Sequence, residues 1–246
     1  MEQLVQFLSD GQLVRGKFQS PANKSPCILM SHGFESSMDG NKWQLFVPWF
    51  SRLGYATLRF NYRGCGEGDN KSEGKFENTT LTARIADYQA ALGFLQSAGV
   101  DTQRIAVIGS SFGAMIILAA PDVRIKAAIV LAAPYYFPLP SQEELANIKK
   151  EGYFLLSSGK RLLPGFLEDL PRYDVLRKVK EIKQPLLIFH GGQDELVPVE
   201  SARKIYSAVS VPRRLEILEG ADHSFTDYRY CEQIMKISRD WFHEYL

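Results

Sequence analysis

Short, largely apolar runs separated by longer stretches of helical periodicity constrain this chain more than any other feature. Cys27–Met30, Tyr55–Phe60, Ile105–Ile108, Ala127–Leu131 and Leu186–Phe189 have the composition of strands covered on both faces. Between and after them, Trp43–Leu53, Thr82–Ser97, Phe112–Ala120, Glu200–Val209 and Cys231–Tyr245 carry apolar residues at helical spacing. That alternation predicts a mostly parallel sheet with crossover helices on both faces. At the start, Leu4–Leu8 and Leu13–Phe18 flank the turn signal Ser9-Asp10-Gly11 and read as an antiparallel hairpin. With Leu215–Leu218, the predicted strands number eight. The pattern breaks once, from about Tyr135 to Lys183, where Pro138, Pro140, Pro164 and Pro171 surround a predicted helix over Glu143–Lys150 and no convincing strand is visible. This stretch reads as a lid insertion at 135–183, within a single domain spanning residues 1–246.

Composition excludes several classes of function. Lys plus Arg number 29 against 28 for Asp plus Glu, with no run of like charge, so neither nucleic acid nor an anionic membrane is an expected partner. No apolar stretch approaches the roughly 18 residues of a spanning helix, and Met1–Gln6 lacks the basic-then-apolar character of an export signal. Cys27, Cys65 and Cys231 are odd in number and outside any CxxC spacing, so neither a disulfide framework nor a metal site is expected. The expectation is a cytoplasmic protein without metal or cofactor.

The chemistry is concentrated at Gly109-Ser110-Ser111-Phe112-Gly113, which follows the run Arg104–Ile108 and opens an apolar helix. A G-x-S-x-G between strand and helix turns sharply enough to raise a serine hydroxyl above the sheet, and bulky residues in place of its glycines would collide with the adjoining strand and helix. Only Ser111, not Ser110, has glycines two residues away on both sides. A serine nucleophile needs a base, and the base needs an orienting acid, following the serine in the order acid then histidine. Among four histidines, His223 lies in a loop after the last strand, whereas His243 belongs to the terminal helix. Asp194 occupies a turn just beyond a strand end, with Glu195 as its rival. Asp222, adjacent to His223, is poorly placed to bond its own neighbour's ring and reads as shaping the loop. His32 and His190 read as structural, and Cys65 as a small filler. The backbone N–H of Phe112, at the helix start, and that of Phe34, after the third strand, are the expected oxyanion donors. The glycines around Cys65 lack the Lys-Ser or Lys-Thr ending of a phosphate loop.

Taken together, His32-Gly33-Phe34, Arg59–Gly66, Gly109–Gly113, His190–Asp194 and Gly220–His223 resemble the α/β-hydrolase superfamily over nearly the whole chain. More narrowly, Phe76–Thr80, the Leu170–Asp174 segment and the Gly-Ala-Asp-His-Ser-Phe ending are similar to bacterial feruloyl or cinnamoyl esterases. The loop after the fourth strand departs from that family's usual Arg-Phe-Asp-Phe-Arg-Gly-His-Gly-Glu-Ser at Asn61, Cys65 and Gly68, and the elbow departs from its Gly-His-Ser-Gln-Gly at Ser110 and Phe112. The resemblance implies hydrolysis of a small-molecule carboxylic ester through an acyl-enzyme, with no cofactor. Tyr135, Tyr136, Phe137, Tyr153, Phe154, Phe166 and Tyr173 are expected to contribute to an acyl pocket for an aromatic or medium aliphatic group. A serine peptidase or acyl-peptide hydrolase shares the elbow and remains an alternative, as does a non-catalytic relative that uses the pocket to bind a ligand or a partner. The insertion is long enough to cover the site or to form a homodimer contact, and spacing does not choose between them.

Overall fold

Asp10 and Gly11 both adopt positive φ, 47° and 78°, and reverse the chain between β1 (Gln3–Ser9) and β2 (Gln12–Gln19) in the computed structural model, which describes residues 2–246. There follow β3 (Cys27–Ser31), α1 (Asn41–Arg52), β4 (Ala56–Phe60), α2 (Leu81–Leu95), β5 (Ile105–Ser110), α3 (Phe112–Ala119) and β6 (Ile125–Leu131). The inserted stretch holds α4 (Gln142–Glu151), β7 (Phe154–Leu155), β8 (Arg161–Leu162), α5 (Gly165–Asp169) and α6 (Val175–Lys178). The chain then completes the fold with β9 (Leu186–Gly191), α7 (Glu200–Ala208), β10 (Arg213–Leu218) and α8 (Tyr228–Tyr245).

Eight strands form one sheet in the order β1-β2-β4-β3-β5-β6-β9-β10, antiparallel at β1/β2 and β2/β4 and parallel elsewhere. Strand periodicity divides the core in two. Ile28, Met30, Ala106 and Ile108 face α1 and α8, whereas Cys27, Leu29, Ile105 and Val107 face α2, α3 and the insertion. Burial of each large side chain, such as Trp43, Phe50 or Phe242, stabilises this arrangement by roughly 1.5–3 kcal/mol.

One expectation fails. The insertion does contain strands: β7 and β8 pair antiparallel, Phe154 with Leu162 and Leu155 with Arg161. Two residues per strand are too few to display a period of two, and so the hairpin leaves no pattern to read. The predicted helix between Pro140 and Gly152 is present as α4, with a capping box between Ser141 and Glu144 and a left-handed Gly152 at its end.

The sheet order also fixes where a site can form. From β3 the chain crosses through α1 to β4 on one side and returns through α2 to β5 on the other. The loops leaving β3 and β5 therefore diverge and open a crevice at the C-terminal edge. Ser31 pairs with Gly109, which brings Gly33-Phe34 alongside Ser111. No helix among the described residues is long and apolar enough to cross a membrane.

Candidate active site

Ser111 sits at φ 54° and ψ −121°, a conformation that L residues adopt only where their surroundings enforce it. Here the enforcement is steric and hydrogen-bonded. The Ser111 N–H donates to the Leu131 carbonyl at 2.8 Å, and the Ser111 carbonyl accepts from the Ala114 and Met115 N–H groups at 2.9 and 3.0 Å. A Cβ on Gly109 would lie 2.8 Å from Ala114 Cα, and one on Gly113 would collide with the Ser31 and His32 carbonyl oxygens. Both glycines are thus demanded by close approach, not by flexibility.

Parallel pairing of β9 with β10 brings the two following loops together, with Ile217 opposite His190 and Leu218 opposite Gly191. Asp194 and His223 extend from these loops. His223 Nδ1 lies 2.8 Å from Asp194 Oδ2, and His223 Nε2 lies 2.9 Å from Ser111 Oγ. An ionised carboxylate only accepts, so Nδ1 carries the proton and Nε2 is free to accept from the serine. Burial opposes ionisation of Asp194, but hydrogen bonds from His190, His223 and the Val197 N–H outweigh it and hold the carboxyl well below the usual range. Its other oxygen accepts from the Leu196 and Val197 N–H groups at 2.9 and 2.8 Å.

The competing residues lie elsewhere. Glu195 is exposed. Asp222, also exposed, accepts from the Thr226 N–H at 2.7 Å and its hydroxyl at 2.6 Å, which ties the His223 loop. His243 is exposed on α8. His32 is fully enclosed, donating from Nδ1 to the Gly33 carbonyl at 2.7 Å and accepting the Tyr62 N–H at Nε2 at 3.2 Å. Desolvation, reinforced by the charge of Arg84, lowers its pKa to about 3 and keeps it neutral. His190 lies beneath the acid, with Nε2 2.8 Å from the Val197 carbonyl and 3.3 Å from Asp194 Oδ2.

Above Ser111 are the backbone N–H groups of Phe34 and Phe112, neither of which has an intramolecular acceptor among the described residues. Their side chains begin an aromatic wall: the Phe34 ring packs 4.9 Å from Phe112, 5.1 Å from Phe166 and 5.7 Å from Phe137. An apolar cavity of about 280 Å³ opens from Ser111 along this wall. Of the seven aromatics expected to line it, only Tyr136 and Phe137 do so, and Phe166 supports them from behind. Tyr135 and Tyr173 hydrogen-bond outward to Lys204 and Thr82, Tyr153 stacks on Arg161, and Phe154 packs against Phe166. A second cavity, of about 430 Å³, opens on the other side of Ser111.

Two basic residues at the site escape the sequence reading. Arg84 is wholly buried, donates to the Phe34 carbonyl at 2.9 Å, and stands 5.0–5.8 Å from the ring centres of Tyr62, Phe34, Phe112 and Phe76. Its position offers a signal: Leu81, Tyr88, Ala91 and Leu95 form the buried stripe of α2, and Arg84 falls within it. Lys42, in the first turn of α1, donates to Ser110 Oγ at 2.8 Å and carries no such signal.

This sheet order, with a strained serine after the central strand and an acid and a histidine on the last two strand loops, defines an α/β hydrolase. The chain belongs to the alpha/beta hydrolase family, whose model matches residues 28–230. An uncharacterized protein of Mycobacterium tuberculosis is 28% identical over 218 residues, covering 87% of this chain and 69% of its own. The mitochondrial palmitoyl-protein thioesterase ABHD10 of Mus musculus is 24% identical over 228 residues, covering 85% of this chain and 72% of its own. Among solved structures, Est1E from Butyrivibrio proteoclasticus with bound ferulic acid matches with a TM-score of 0.86 at 23% identity, over 98% of both chains.

Proposed function

We propose that the protein is a serine hydrolase that cleaves carboxylic esters of small molecules through an acyl-enzyme. The observation that carries this is the unbroken hydrogen-bonded chain from Asp194 through His223 to Ser111, ending beneath two unengaged N–H groups. In this mechanism His223 takes the Ser111 proton as Oγ attacks the ester carbonyl, and Asp194 stabilises the resulting imidazolium. The Phe34 and Phe112 N–H groups hold the oxyanion. His223 then protonates the departing oxygen, and water deacylates the serine by the same steps in reverse order.

The aromatic cavity supplies the preference for the acyl group. At about 280 Å³ it lies at the small end of ligand pockets, which suits an aromatic or medium-chain acyl group. The ferulic acid held by Est1E and the thioesterase name of the mouse relative support an acyl-transfer site of this kind. We read the 135–183 insertion as its lid, since Tyr136, Phe137 and Leu156 roof the cavity.

Hydrolysis of p-nitrophenyl butyrate is the test, with Ser111→Ala as control. Activity is expected to vanish in the variant, together with labelling by a fluorophosphonate probe. Full activity without Ser111, or an inert Ser111 in folded wild-type protein, refutes the proposal, and the latter favours a ligand-binding relative. Faster cleavage of an aminoacyl anilide than of the phenolic ester favours a peptidase.

A further inference from the structure

Two cavities meet at Ser111, and their walls differ in kind. The apolar one contains the side chains of both oxyanion-donor residues. The other is walled by the His223 loop, through Ser224, Phe225 and Thr226, and by the first turn of α1 with Lys42. A leaving group must depart on the side where His223 can protonate its oxygen. His223 borders both cavities, so the division rests on their walls: the aromatic cavity suits the acyl group, and the cavity bounded by the His223 loop and Lys42 is left for the leaving group.

Among the described residues Lys42 has no counter-ion. Its ammonium donates to Ser110 Oγ and lies 5.4 Å from the centre of the Phe225 ring, and no described carboxylate pairs with it. The nearby acids are committed elsewhere: Asp222 to Thr226, Asp194 to His223 and Glu35 to Ser158. Lys42 is half-buried, and desolvation lowers its pKa to about 8 despite the opposing charges of Asp222 and Asp194. It remains largely a cation at neutral pH. A half-buried cation with one neutral hydrogen-bond partner is an incomplete arrangement, and an anion entering the cavity would complete it. The first turn of α1 on the same wall holds no acidic residue that would compete.

Building on the ester-hydrolase reading, we infer that Lys42 is a specificity residue that binds an anionic substituent on the leaving group. The substrate class is then an ester with an apolar acyl group and an acidic alcohol or phenol. Nothing in the aromatic cavity would serve such a charge.

The direct test compares 4-carboxyphenyl butyrate with 4-carbamoylphenyl butyrate, its neutral near-isostere. The carbamoyl phenol is the better leaving group, so intrinsic reactivity works against the expected result. Wild-type kcat/KM should favour the carboxylate by about tenfold, in the range of a charge-assisted contact. Lys42→Gln should bring the ratio to about one, and Lys42→Arg should retain most of it. No preference in the wild type, or a preference surviving in Lys42→Gln, overturns the inference. Binding of 4-hydroxybenzoate to the Ser111→Ala protein, followed by calorimetry, separates the two layers of the reading. If neither ester is cleaved but 4-hydroxybenzoate binds Ser111→Ala and not Ser111→Ala/Lys42→Gln, the anion site stands and the hydrolase proposal falls. If the esters are cleaved without preference and both variants bind 4-hydroxybenzoate alike, the anion site falls alone.

Discussion

Acid should destabilise this protein through one histidine that takes no part in the proposed chemistry. His32 lies under the Gly33-Phe34 loop, accepting the Tyr62 N–H at Nε2 and donating to the Gly33 carbonyl, and its pKa is lowered from 6.5 to about 3, chiefly by burial. Because the folded value lies below the unfolded one, the unfolded chain binds more protons between these limits. Stability is thus full above about pH 6.5 and declines as pH falls toward 3. At about 1.4 kcal/mol per pH unit, the decline from His32 alone amounts to about 2 kcal/mol at pH 5 and about 5 kcal/mol if titration is completed. Asp194, held well below the usual carboxylate range, is still ionised at pH 5 and its loss of stability lies at lower pH. The assay is urea unfolding of wild type and His32→Gln at pH 8 and pH 5. Gln offers the Tyr62 N–H an acceptor but has no proton to gain. The variant is expected to lose about 2 kcal/mol less than wild type between the two pH values. Equal losses would show that His32 is not the group responsible.

Three further outcomes follow from the site. Asp194→Asn should lower kcat by about 10³–10⁴-fold while the protein stays folded, because the amide no longer fixes the Nδ1–H tautomer of His223, and a kcat within tenfold of wild type contradicts the assigned role. Arg84→Met leaves the Phe34 carbonyl without its donor and removes the cation among four rings; kcat for p-nitrophenyl butyrate should fall about tenfold with KM little changed, and Arg84→Lys should recover part of it. If Arg84 only packs the core, thermal stability falls and kcat does not. Phe137→Ala opens the aromatic cavity, so the preferred p-nitrophenyl ester should lengthen by about two carbons or more; an unchanged chain-length profile would place the acyl group elsewhere.

The sheet was legible because its signals are local and periodic. Each central strand is apolar on both faces, and the runs found at Cys27, Ile105 and Leu186 begin β3, β5 and β9 at the same residues. The insertion was not legible in this way. Its hairpin and the short helices α5 and α6 are shorter than the periods that would reveal them, and tertiary packing holds them in place: Phe166 and Val175 are buried against the rest of the core. Composition identified an aromatic segment, yet could not separate Tyr136 and Phe137, which face the cavity, from Tyr153 and Tyr173, which do not. Direction along an irregular chain has no sequence period.

The candidate site divides along the same line. Ser111, Asp194 and His223 each follow a strand, so chain order and loop position narrowed the choice before any contact was known. Arg84 and Lys42 reach the site from helices, and what makes them unusual is that no carboxylate among the described residues pairs with them, which only three-dimensional surroundings can reveal. Two departures from the feruloyl esterase pattern near them then find local causes. Asn61 uses both ends of its amide, accepting the Met38 N–H and donating to the Asn70 carbonyl, and a carboxylate could not make the second bond. Cys65 places its sulfur 3.5 Å from an Arg84 nitrogen, where an imidazole would compete for the same buried space. Cys65 thus leaves room for the buried guanidinium that supports Phe34, while Asn61 ties the loop after β4 to Met38 and Asn70. Restoring an aspartate at 61 in this background should therefore weaken the loop, not improve it: Asn61→Asp places an unpaired oxygen opposite the Asn70 carbonyl and should cost about 1–3 kcal/mol in urea unfolding above pH 6. A variant as stable as wild type would show that the loop tolerates the family residue and that the bond to the Asn70 carbonyl imposes no such constraint.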